Sequence, residues 1–242
     1  MPDGGRPVSL MAAPQELEPL TSAPLRRRFP QLATALDGEV MRGHLQRLLL
    51  EGTGIVAQAC ARPRAEVDDD VCWLQYPLRV DGGPDGSHEL LVLGAMFADP
   101  DGAARYERAA RAAPSARWSA RRVRGPRPCG VLPSLRVAVS SFPVNGPLPT
   151  VVDATDERRM RAVLRDLLAP AGDTAELTGI DLVGFRRSGG CVLRYRLAPT
   201  EGHSTVYGKI GYGVTGELVR DTLLALGAGG VSPAERPILY PQ

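Results

Sequence analysis

A chain of 242 residues, 43% hydrophobic and 23% charged, is long enough for one large globular domain or two of ordinary size. Its net charge of +2 is too small to imply a nucleic-acid or membrane partner, and no apolar run approaches the ~18 residues that a membrane-spanning helix needs. Cys60, Cys72, Cys129 and Cys191 show neither CxxC nor metal-finger spacing, which predicts reduced, mostly buried thiols in a cytoplasmic protein.

The start, MPDGGRPVSLMAAPQELEPL, lacks a basic segment followed by a continuous apolar one, so residues 1–24 read as a flexible leader and not as a signal peptide. Next, Asp37 stands where it can N-cap a helix with Met41, Leu45, Leu48 and Leu49 on one apolar stripe. A polar connector follows, and VCWLQYPLRV (71–80) and ELLVLGAMF (89–97) alternate as strands do. GAARYERAARAA predicts a helix, and LRVAVSSF (135–142) a further strand after a Pro-bounded turn.

The same order then returns. At an offset of 119, Pro30, Ala35, Asp37, Met41, Arg42, Leu45, Leu48 and Leu49 meet identical residues in LPTVVDATDERRMRAVLRDLLA (148–169). That offset carries CWLQYPL (72–78) onto CVLRYRL (191–197), and LVLGAMFADPDG (91–102) meets TVYGKIGYGVTG (205–216) five residues out of step. Three blocks in one order indicate duplication. The domains are then 25–147 and 148–242, each an α+β unit with a small antiparallel sheet and flanking helices. RPILYP (236–241) aligns with RPCGVLP (127–133), but LRVAVSSF has no counterpart after it. The second sheet is therefore expected to be incomplete, with an edge that needs a partner or more chain.

Lys209, in VYGKIG, is the only lysine; the other 28 basic residues of the 29 are arginines. Chance or an exposed strand position would explain it, as would a need for a compact ammonium that a guanidinium fork cannot replace. The segment GFRRSGGCVLRYRLAPTEGHSTVYGKIGYGVTGELVRDTLLAL (184–226) resembles the amino-terminal lobe of aminoglycoside phosphotransferase-type kinases: a hairpin, a strand carrying lysine, then a helix. The resemblance covers roughly 90 residues of the second copy, with a degenerate echo in the first.

The resemblance implies tandem kinase-type amino-terminal lobes. It implies that Lys209 contacts the α/β-phosphates of ATP and pairs with a helix carboxylate, Glu217 or its competitor Asp221. Either carboxylate would equally serve as an ordinary solvated charge. Ser188, Gly189 and Gly190 at the hairpin tip would turn backbone N–H groups toward phosphate, or form a plain glycine turn. The family keeps its catalytic carboxylate and Mg²⁺ ligands in a carboxy-terminal lobe, and none of the three histidines sits in an HxD-like loop. Magnesium is thus expected only if such a lobe is supplied, and the chain alone should not turn over.

Ala95 stands at the lysine position of the first copy, and Asp68, Asp69 and Asp70 replace the hairpin tip, so that copy is expected to be a poor nucleotide binder. A non-enzymatic scaffold built from two such lobes is the competing reading, with a protein partner completing the second sheet. The run ARWSARRVRGPRP (116–128), with Arg117, Arg121, Arg122, Arg124 and Arg127 around Trp118, reads as a solvated loop more readily than as an RNA-binding stretch.

Overall fold

The computed structural model of the protein describes residues 22–68, 70–82, 86–112, 126–144, 148, 150–168, 176–186, 190–198 and 205–211. The chain is α+β and divides into two compact units between residues 149 and 150, close to the expected boundary. No helix among the described residues is long and apolar enough to cross a membrane.

The first unit opens with helices α1 (Ala23–Arg28), α2 (Leu32–Ala35) and α3 (Gly38–Leu45), the last running into a π-helical turn, Gln46–Leu50. Asp37 caps α3 by accepting from the Glu39 and Val40 amides at 3.0 and 3.1 Å. Six strands follow: β1 (Ile55–Cys60), β2 (Arg64–Asp68), β3 (Val71–Gly82), β4 (His88–Phe97), β5 (Cys129–Leu132) and β6 (Val137–Ser141). Helix α4 (Gly102–Ala112) lies between β4 and β5 in sequence. All pairs are antiparallel, in the order β1-β3-β4-β6-β5, with β2 pairing the start of β3 and β1 its end.

The stretch after α3 is not a polar connector, as its composition suggests, but carries β1 and β2. Its alternation is real, since Ile55 and Ala57 are buried and Val56 is exposed. An apolar outward residue, Val56, hides it in β1, and in β2 the charged Arg64, Glu66 and Asp68 on the exposed face lend the stretch its polar look. Gln46 ties β1 to the helix by donating to Ile55 O at 3.1 Å and accepting from Ala57 N at 2.7 Å, as a neighbouring strand would. Asp70, at the β2–β3 turn, pairs with Arg28 of α1.

The second unit repeats this plan over its described part. Helices α5 (Thr150–Ala154) and α6 (Glu157–Leu168) precede strands β7 (Leu177–Arg186), β8 (Gly190–Leu197) and β9 (Thr205–Ile210), paired antiparallel in that order. Asp156 caps α6, accepting from the Arg159 amide at 3.0 Å.

The residues shared by the two copies occupy equivalent places. Met41, Leu45 and Leu49 are buried, as are Met160, Leu164 and Leu168. Cys72, Leu74, Tyr76 and Leu78 form the inner face of β3, and Cys191, Leu193, Tyr195 and Leu197 that of β8. The shared arginine also does the same work twice. Arg42 donates to Ala57 O on β1 at 3.3 Å, and Arg161 to Leu177 O on β7 at 3.4 Å.

Strand register agrees as well. Leu74 faces Gly94 across β3–β4, and Leu193 faces Gly208 across β8–β9. Each glycine lies under the ring of the next inward tyrosine. A Cβ on Gly94 would come within 2.9 Å of the Tyr76 ring, and one on Gly208 within 2.8 Å of the Tyr195 ring. Gly94→Ala is therefore expected to cost about 1–3 kcal/mol by overpacking. The two tyrosines should respond oppositely to loss of the hydroxyl. The Tyr195 OH donates to Ala154 O at 3.0 Å, whereas the buried Tyr76 OH has no partner among the described residues. Tyr195→Phe should cost about 0.5–1.5 kcal/mol and Tyr76→Phe should be neutral or stabilising, read from urea midpoints.

Candidate functional site

Strand pairing fixes which residues share a face, because cross-strand partners point the same way and neighbours along a strand point oppositely. With Cys191, Leu193 and Tyr195 turned inward toward the helices, Val192, Arg194 and Arg196 of β8 stand on the outer face. Lys209 is the partner of Val192, Tyr207 of Arg194, and Asp181 of Arg194 from the other side. Lys209 thus sits on the outer face of β9, half-buried, with no ion-pair partner among the described residues.

Next to it is a small ionic cluster. Arg194 donates to Asp181 Oδ2 through Nε at 3.1 Å and Nη2 at 3.0 Å, and Arg196 Nε lies 3.1 Å from the same oxygen. Arg196 lies flat over the strand because Gly179 beneath it has no side chain; a Cβ there would meet its guanidinium at 2.5 Å. Arg186, opposite Gly190 at the hairpin mouth, belongs to the same face and is exposed. On these described strands, four cationic side chains therefore share the outer face with the single carboxylate of Asp181, which only Arg194 and Arg196 contact. The alternation in CVLRYRL, with arginines between Leu and Tyr, signals a charged face but does not bring Asp181 to it.

Of the other expected site residues, Gly190 is described, and Ser188, Gly189, Glu217 and Asp221 lie outside the described residues, as do Arg117, Trp118, Arg121, Arg122 and Arg124. Gly190 has φ +83° and packs so closely on β9 that a Cβ would fall 1.8 Å from Ile210 O. Glycine is required there by the backbone alone.

The first unit treats the equivalent face differently. Ala95, in register with Lys209, is buried opposite Trp73. Tyr106 of α4 packs on Trp73 and on Phe97 with ring centroids 5.9 Å apart in each case. A helix bearing an aromatic cluster closes the surface that in the second unit carries Lys209.

The cysteines belong to the core. Burial raises Cys60 from its ordinary 9.0 to about 11, helped by the Glu39 carboxylate and opposed by Arg42. It raises Cys72 and Cys191 to about 12, and Cys129 in the same direction. Thiolate chemistry near neutral pH is therefore disfavoured.

No protein-family model, no curated protein and no solved structure matches this chain.

The thiol shifts give a pH prediction. Above pH 9 the unfolded chain loses thiol protons that the folded chain keeps, so stability should fall between pH 9 and about 12. Burial also raises Tyr76 and Tyr195, which adds to the same trend. The urea midpoint should be lower at pH 10.5 than at pH 8, and an unchanged midpoint would contradict the burial of these groups.

Proposed function

We propose that the second unit is a nucleotide-contacting lobe of the phosphotransferase type, in which Lys209 meets the phosphates of ATP. The observation that carries this reading is the placement of the only lysine. It projects from the penultimate position of β9 onto an outward face that is rich in cations. An ammonium on a rigid strand, with no described carboxylate to neutralise it, suits an anionic ligand. Arg186 and Arg194 extend the positive field along the same face, where a chain of phosphates would lie.

The residues present fit phosphate binding. ATP would bring the transferable phosphoryl group; this chain's residues would hold and orient it. Phosphoryl transfer further requires a carboxylate base and Mg²⁺ ligands, which the resemblance places in a carboxy-terminal lobe. The reading is accordingly of a nucleotide-holding lobe, to which transfer chemistry would come from residues of that kind. A scaffold reading draws support from the first unit, whose equivalent face is closed by Trp73, Phe97 and Tyr106. A unit of that kind serves packing, not catalysis.

Mg-ATP at ten times its dissociation constant should stabilise the protein by about 1.4 kcal/mol and raise its melting temperature by a few degrees. Lys209→Ala should abolish the rise while changing the unliganded stability by less than about 0.5 kcal/mol, since the side chain has no described partner. Lys209→Arg should keep only part of it. No rise with the natural chain, or an equal rise with Lys209→Ala, would overturn the reading in favour of a scaffold.

A further inference from the structure

In the first unit, β4 is flanked on both sides. Beyond it β6 pairs in register, Val92 with Ser141, Gly94 with Val139 and Met96 with Val137. Next to β6, β5 closes down on the π-helical turn. Gly130 packs so tightly on Leu48 that a Cβ would lie 2.8 Å from that side chain, and Arg127 N donates to Leu49 O at 2.8 Å. The β5–β6 hairpin thus fills the space between the helix and the far edge of β4.

In the second unit, no described strand occupies the corresponding edge of β9. A cleft of about 440 Å³ lies there, bordered by Val163, Leu164 and Leu167 of α6 and by Val206, Gly208 and Ile210 of β9. Leu167 is the counterpart of Leu48 at the repeat offset. Asp166 of α6 and Tyr207 and Lys209 of β9 border it as well. Its apolar wall stands at the height of one strand, beside a sheet edge that has no partner strand among the described residues.

We propose that this cleft takes an extended strand from a separate protein, added antiparallel to β9. The first unit specifies the chemistry of that strand. By transfer of the β4–β6 register, residues like Val137, Val139 and Ser141 pair with Ile210, Gly208 and Val206 and face α6. Residues like Ala138 and Ser140 pair with Lys209 and Tyr207 on the outer face. Small or β-branched residues at the inward positions fit a strand that is buried on both faces, as β6 is. The mode is strand addition, in which main-chain hydrogen bonds supply affinity and the alternate side chains supply selectivity.

The probe is a fluorescein-labelled peptide carrying LRVAVSSF, residues 135–142 of this chain, with charged flanks for solubility. Fluorescence anisotropy with the full 242-residue chain should show saturable binding on the order of micromolar. Hydrogen exchange should slow at the amides of residues 206–210. A peptide with proline in place of Ala138, and the chain variant Val163→Arg at a half-buried position of the cleft, should each bind about tenfold more weakly or worse. Circular dichroism checks that Val163→Arg folds, and the proline peptide tests the same point without touching the protein. Because Lys209 borders the cleft, independence from nucleotide binding is read on the natural chain: peptide binding without any Mg-ATP shift would support this inference and not the nucleotide reading. No binding up to about 1 mM, protection confined to other strands, or equal binding of the proline peptide would overturn it. The first of these is also the result expected if residues 212–242 cover the edge.

Discussion

A tyrosine ring lying on a glycine of the neighbouring strand sets the geometry of both units. Tyr76 covers Gly94 and Tyr195 covers Gly208, with so little clearance that no side chain larger than hydrogen fits beneath either ring. Strands have a period of two, so this one contact decides the facing of every other residue on the hairpin. With Gly208 turned in, Lys209 must turn out. A slip of one residue would bury the ammonium under Tyr195 and expose Ile210. The helix cap, the leucine stripe and the shared arginine all serve the same end, which is to press the helix onto the tyrosine-bearing face.

From that common frame the two units diverge on the outer side. The first packs α4 there through Trp73, Phe97 and Tyr106, and uses a buried alanine at the centre. The second places on its described strands a lysine, three arginines and one aspartate. A buried alanine tolerates a packed helix over it, whereas an ammonium in that place would need a carboxylate, water or a polar ligand beside it. Residue 95 or 209 thus goes with the use of the whole surface, as filler in one unit and as a free cation among the described residues in the other.

Much of this frame was legible in the sequence. The repeat offset brought together residues that the structure shows in equivalent roles, down to Asp37 and Asp156 as helix caps and Arg42 and Arg161 as clamps on the adjoining strand. VCWLQYPL and GCVLRYRL showed their inward face through Leu and Tyr at every second position, and LRVAVSSF announced β6. Less legible were β1, β2 and the first part of β7. Irregular register blurs the alternation of β1 at residues 57–59 and that of β7 at 177–179 and 182–184. The π-helical turn was hidden too, because QRLLL continues a helical stripe and its widening depends on Gln46 bonding to β1. The Asp181–Arg194–Arg196 cluster joins residues on different strands, so it requires the β7–β8 register and cannot be seen along the chain.

The central proposal is that Lys209 contacts the phosphates of a nucleotide, and its uniqueness in the sequence makes a direct measurement available. Growth on ¹³C-labelled lysine gives a protein with one side-chain ε-methylene signal, which needs no assignment. On titration with Mg-ATP, and separately with inorganic tripolyphosphate, that signal should move saturably with both anions and stay put with a neutral nucleoside. A signal that ignores phosphate at millimolar concentrations while the protein remains folded would contradict the account, leaving the lysine an ordinary surface residue of a packing unit.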